Sequence, residues 1–200
     1  MKKNLLSGAS VILFMFLAMA SGVNKIHYNA FNYKNLVENE TDNRDYVVKN
    51  DGTKIYGNQV NTSKGFFSKT QIQIDNQKFK TSEIKAFYHD GFFYNNIENE
   101  FAQRIVHGKI NVYVQFTRVQ FDNGRNSYIS TYHYAQRGEN GKFTAFGDQE
   151  SMKKLVSDCP LSVNMINLSN SQLTKAIKKD PNYLNKVFEI YNNNCQKVEP

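Results

Sequence analysis

The stretch "KINVYVQFTRVQFDNGRNSYISTYHYAQR", residues 109–137, decides the fold. Ile110, Val112, Val114 and Phe116 recur at every second residue, the period of a strand with one apolar face. Asn123-Gly124 near its centre is a two-residue turn signature, because a type I′ turn needs positive φ at both central positions. A hairpin closed there pairs Phe121 with Asn126, Val119 with Tyr128, Gln115 with Tyr132 and Tyr113 with Tyr134. Val112, Val114 and Phe116 then stand opposite Ala135, His133 and Thr131. One face is aliphatic, and the other carries Tyr113, Tyr128, Tyr132 and Tyr134. A slip of one residue would mix the two faces, so the pattern itself specifies the register.

The same device recurs upstream. "DYVVKNDGTKIYGNQV" is two β-type runs around Asn50-Asp51-Gly52. "TQIQIDNQKFKT" breaks at Asp75-Asn76, and "IKAFYHDGFFYNN" at Asp90-Gly91. Such units predict an antiparallel meander or small barrel-like sheet over 45–147. From Asp148 the period becomes helical. Met152, Leu155 and Val156 form one stripe, Pro160 interrupts it, and 161–168 makes a second short helix. Leu173, Ala176 and Ile177 mark a third helix. Asp180-Pro181 reads as the N-cap and first residue of a last helix carrying Leu184, Val187, Phe188 and Tyr191. Strands first and helices last make an α+β protein, with 148–200 packed on the sheet.

The chain begins as an exported one. Lys2 and Lys3 precede an apolar run through Leu17, and Ala18-Met19-Ala20 supplies the small residues of a cleavage site. Residues 1–20 therefore read as a signal peptide, cleaved after Ala20, rather than as a membrane anchor. The next segment, 21–44, reads as an N-terminal extension with one short strand near 26–31. Losing the leader takes two positive charges off the formal +7. The remaining charges are scattered, without the Lys/Arg block of a nucleic-acid binder. Two cysteines, Cys159 and Cys195, in an oxidising compartment point to a disulfide, and no CxxC redox spacing occurs.

Catalytic motifs are absent. His27, His89, His107 and His133 make no metal-ligand spacing, and no nucleophile elbow, P-loop or dinucleotide fingerprint occurs. Neither a metal nor a cofactor is implied. His133 falls on the aliphatic face, where a structural role is the ordinary one. Asp90, Glu98 and Glu100 could form a carboxylate pair, yet they read equally as solvated loop charges. The tyrosine face has two readings. It could be an exposed platform for a sugar, peptide or partner strand, since tyrosine combines apolar area with a hydroxyl. More economically, the C-terminal helices bury their apolar stripe against it.

"DYVVKNDGTKIYGNQV", "RIVHGKINVYVQF", "HYAQRGENGK" and "DCPLSVNMI" with "DPNYLNKVFEIYNNNC" together resemble uncharacterised exported proteins of Bacteroidota bacteria over most of the mature chain. That resemblance implies an exported location and carries no catalytic residue. "NDGTKIYGNQV" followed by "QIQIDNQKFKTSEI" is also similar to the opening strands of small SH3-like or Sm-like barrels. The expected role is non-enzymatic: binding or structural contacts in the periplasm or envelope, with an envelope protein or glycan as partner. The alternative is an unrecognised hydrolase of envelope glycans or peptides.

Overall fold

The computed structural model describes residues 44–64, 70–121 and 126–195. The leader, the expected strand near 26–31 and the Asn123-Gly124 turn lie outside the described residues. The architecture is mixed α+β. Strands β1 (Asp45–Lys49), β2 (Lys54–Gly57), β3 (Val60–Lys64), β4 (Thr70–Ile74), β5 (Gln77–Lys80), β6 (Ile84–His89), β7 (Phe92–Ile97), β8 (Glu100–Val106), β9 (Ile110–Phe121), β10 (Asn126–Arg137) and β11 (Phe143–Phe146) come first. Helices α1 (Gln149–Leu155), α2 (Pro160–Ile166), α3 (Asn170–Lys179) and α4 (Tyr183–Asn194) follow.

Eight strands form one sheet in the order β11-β10-β9-β8-β7-β6-β1-β2, and β3-β4-β5 form a second. From β6 to β11 every strand pairs with its chain neighbour, which is a meander. The "NDGTKIYGNQV…QIQIDNQKFK" stretch does not make one small barrel. Its strands divide between the edge of the large sheet and the three-stranded sheet. The turns lie where the sequence puts them: Gly52 has φ +86°, Asp75 +47°, Asp90 +51° and Gly91 +84°. The β9–β10 register is the one the alternation specifies, with Tyr134 opposite Tyr113, Tyr132 opposite Gln115 and His133 opposite Val114.

Following the pairings across the sheet places Val47, Phe87, Tyr94, Val114, His133 and Phe146 on one face. Two layers share that face. The three-stranded sheet covers one end, where Val60, Ile72 and Ile74 meet Val47, Ile84 and Phe87. The helices cover the other, where Leu184, Val187 and Phe188 meet Ile110, Val112 and Val114. The helices therefore lie on the aliphatic face, not on the tyrosine face. The reason is the match of surfaces: a stripe of Leu, Val and Phe removes most apolar area from water against Ile and Val, and leaves no hydroxyl to satisfy.

Local chemistry fixes the helix ends. The Asp148 side chain accepts the Ser151 N–H at 2.7 Å and caps α1. Pro160 opens α2, where its missing N–H costs nothing. The last helix begins later than Asp180-Pro181 suggests. Asp180 accepts the Asn182 N–H at 2.9 Å in a local turn, and Asn182 becomes the N-cap. Gly108 has φ +152°, and a Cβ there would lie 2.5 Å from Asn192. That close approach lets Asn192 receive the Ile110 N–H at 2.8 Å and donate to its carbonyl at 3.0 Å, stitching α4 to the β8–β9 turn. Cys159 and Cys195, at the two ends of the α2–α4 segment, stand at disulfide distance with Cα atoms 5.5 Å apart.

Candidate functional site

The tyrosine face is the one the helices leave. It carries one row across seven strands: Tyr56, Tyr46, Tyr88, Phe93, Arg104, Tyr113 and Tyr134. Tyr46 and Tyr88 stack at 5.4 Å, and the Arg104 guanidinium lies 4.2 Å over the Phe93 ring. The four expected tyrosines separate here. Tyr113 is fully buried, and its hydroxyl donates to Gln136 Oε1 at 3.0 Å, so it is part of the core and not of a binding face. Burial pushes its hydroxyl pKa up. Tyr128 is exposed towards the turn end of the hairpin. Tyr132, 47% exposed, and the half-buried Tyr134 line one groove.

That groove has a volume of about 260 Å³ and is lined by Ile97, Glu98, Glu100, Gln115, Thr117, Tyr132 and Tyr134. Three elements build it. The β7–β8 turn supplies Glu98, with Asn99 as its second residue and φ values of +54° and +66°. Glutamate seldom occupies that left-handed region, and the turn holds its carboxylate at the groove rim. Strand β8 begins with Glu100, paired with Ile97. The β9–β10 hairpin supplies Gln115 and Thr117 from one strand and Tyr132 and Tyr134 from the other. Glu98 and Glu100 are thus brought together, and Asp90 belongs elsewhere.

The hydrogen bonds define what the groove has left to offer. The Gln115 side-chain N–H and the Thr117 hydroxyl, at 3.4 Å, both donate to Oε2 of Glu100. Gln115 is 8% exposed, and its Oε1 is buried without a hydrogen-bond partner among the described residues. A buried acceptor left open costs about 1–3 kcal/mol, so such an atom asks for an explanation. Desolvation, then the charges of Glu98 and Glu100, raise the pKa of Tyr134. The field in the groove is negative, opposite to the formal charge of the chain.

Two other clusters sit nearby. Arg104, 5% exposed, reaches Glu139 at 3.2 Å, and His107 and Asn111 contact the same carboxylate at 3.2 Å. The His107 hydrogen bond, the Arg104 charge and the Asn111 amide hold the Glu139 carboxyl down at about 2. This network ties the 138–142 loop to the sheet. At the far end, His89 Nδ1 lies 2.6 Å from Asp45 and its Nε2 lies 3.4 Å from Asp90. These three residues each offer a ligand atom within 4.8 Å of the others, a grouping that positions 45, 89 and 90 do not show in sequence. Asp45 already accepts the Val60 N–H at 2.7 Å and the Asp90 N–H at 3.3 Å, so its carboxylate serves to join β1 to β3 and to the β6–β7 turn. His133 is buried on the aliphatic face, 5.7 Å from the Phe146 ring, far from a nucleophile's setting. Cys159, at disulfide distance from Cys195, offers no thiol for it to activate.

No protein-family profile, no characterised protein and no solved structure matches the chain.

Proposed function

We propose that this chain is an exported protein of the periplasm or cell envelope that works by binding, and that its ligand seats in the Tyr132–Tyr134 groove. The observation that carries the reading is a groove that brings Tyr132 and Tyr134 together with Glu98 and Glu100. Aromatic area beside a few convergent polar groups is the composition of a recognition site. The leader-like start supports export, and so does the cysteine pair at disulfide distance. Among the described residues no helix is long and apolar enough to cross a membrane. The hydrolase alternative has less behind it, because Glu100 is already engaged by Gln115 and Thr117 through one oxygen.

Two measurements test the reading together. Protein recovered from the envelope fraction should have the mass of a chain starting at Ser21. It should co-sediment with purified cell-wall sacculi or outer-membrane vesicles. Replacing Tyr132 and Tyr134 by Ala should abolish co-sedimentation while leaving a cooperatively folded protein whose melting temperature falls by only several degrees, because Tyr134 packs against the Ile97–Ala102–Tyr113 cluster and Tyr132 is exposed. Retained binding by the double variant would reject the groove as the site.

A further inference from the structure

We infer that the groove takes a cationic head group, an alkylammonium or guanidinium, seated between Glu98 and Glu100 and flanked by Tyr132 and Tyr134. The inference rests on the groove being the binding site and adds the chemistry of what binds. Two donors on the groove floor are already spent: one Gln115 N–H and the Thr117 hydroxyl both go to Oε2 of Glu100. Acceptors remain. They are Oε1 of Glu100 and the carboxylate of Glu98, while Oε1 of Gln115 is enclosed and has no accessible surface. A sugar hydroxyl both donates and accepts, and its oxygen would find few donors here beyond the tyrosine hydroxyls. A cation only donates. An ammonium has three N–H groups and a guanidinium five, and either satisfies several of these acceptors at once with charge-assisted bonds.

Size and walls agree with that chemistry. At about 260 Å³ the groove suits one head group or one side chain rather than a drug-sized ligand. Tyrosine faces attract cations, and two of them line the same space as the carboxylates. The cation can come from a free amine or from a lysine or arginine side chain of a peptide. The recognition is the same, and the two sources differ in whether the flanking backbone fits.

The test follows the Tyr132 and Tyr134 ring signals by NMR, on chain purified after export. Three probes are titrated separately: n-butylamine, Nα-acetyl-lysine methylamide and the neutral trisaccharide maltotriose. The expected result is saturable movement of both rings with an amine, at a dissociation constant on the order of a millimolar. Movement with both amines assigns a side-chain cation, and movement with butylamine alone assigns a free amine; each supports the inference. Glu98→Gln, whose side chain makes no hydrogen bond among the described residues, should weaken amine binding at least threefold with unchanged melting. Glu98→Gln with Glu100→Gln should weaken it at least tenfold. Raising the salt to about 1 M should weaken it several-fold, because the screening length falls to about 3 Å. If maltotriose moves the rings and the amines do not, the cation is wrong and the binding groove stands. If no probe moves them, both are wrong. Amine binding untouched by Glu98→Gln and by the double variant also overturns the inference.

Discussion

His133 should make the fold sensitive to mild acid. Its imidazole is 6% exposed, on the aliphatic face opposite Val114, and burial alone brings its pKa from 6.5 to about 4. In the unfolded chain it protonates near 6.5; in the folded chain it resists until about 4. Between those values the unfolded state binds more protons, so stability falls as pH falls. It is fully present above 6.5 and fully lost below about 4. A shift of that size corresponds to roughly 3 kcal/mol over the whole window, most of it lost by about pH 4.5. With a urea slope of about 2 kcal/mol/M, the midpoint should drop by about 1 M between pH 7.5 and 4.5. His133→Leu keeps the position apolar between Val114 and Phe146 and removes the titrating group. The assay is urea unfolding of both proteins at half-unit pH steps. The variant should lack the midpoint loss between 6.5 and 4.5. Parallel pH profiles for the two proteins would refute the reasoning, as would an NMR titration of His133 near 6.5.

The Glu139 network should act in a lower window. Its carboxyl is held down to about 2, so its contribution is present above about 4.5 and disappears as pH falls towards 2. The carboxylate is more than half exposed but its partner Arg104 is 5% exposed, so Glu139→Gln, which leaves that guanidinium without its counter-charge, should cost about 2 kcal/mol at pH 7, a gap that urea midpoints should show closing by pH 2.5. The Cys159–Cys195 bridge closes a segment of 36 residues' separation. Replacing both cysteines by serine should cost up to roughly 4 kcal/mol in the chain-entropy view, and thiol titration of the unfolded, unreduced chain should find no free thiol.

The hairpins were legible because three signals coincide in them. Alternation assigns faces, a turn dipeptide fixes the pairing, and one buried face forbids a slip. Strand β8 shows what happens when those signals are missing. Its sequence EFAQRIV puts Ala102 and Arg104 in the buried interior and Gln103 beside Tyr94 and Val114. Arg104 is tolerated there because Glu139, 35 residues later, meets it. No local pattern announces such a partner. The β3 and β11 strands are short, and their positions follow from the neighbours they join.

The placement of the helices turns on the same limit. The alternation in 110–116 and the stripe in α4 were both readable as apolar surfaces, and the rule that apolar surfaces meet should have paired them. The helices meet that aliphatic face and not the tyrosines against which their burial was expected. The sheet is open, so that face had no interior of its own and needed the helices and the three-stranded sheet to cover it. The groove is a consequence of that arrangement. With the helices and the three-stranded sheet on one face among the described residues, the β7–β8 turn and the β9–β10 hairpin keep Glu98, Glu100, Tyr132 and Tyr134 on the other. In sequence these carboxylates look like loop charges, since 15 residues separate Glu100 from its Gln115 partner. Only the register, strand by strand, turns two turn-proximal glutamates and two alternating tyrosines into one site.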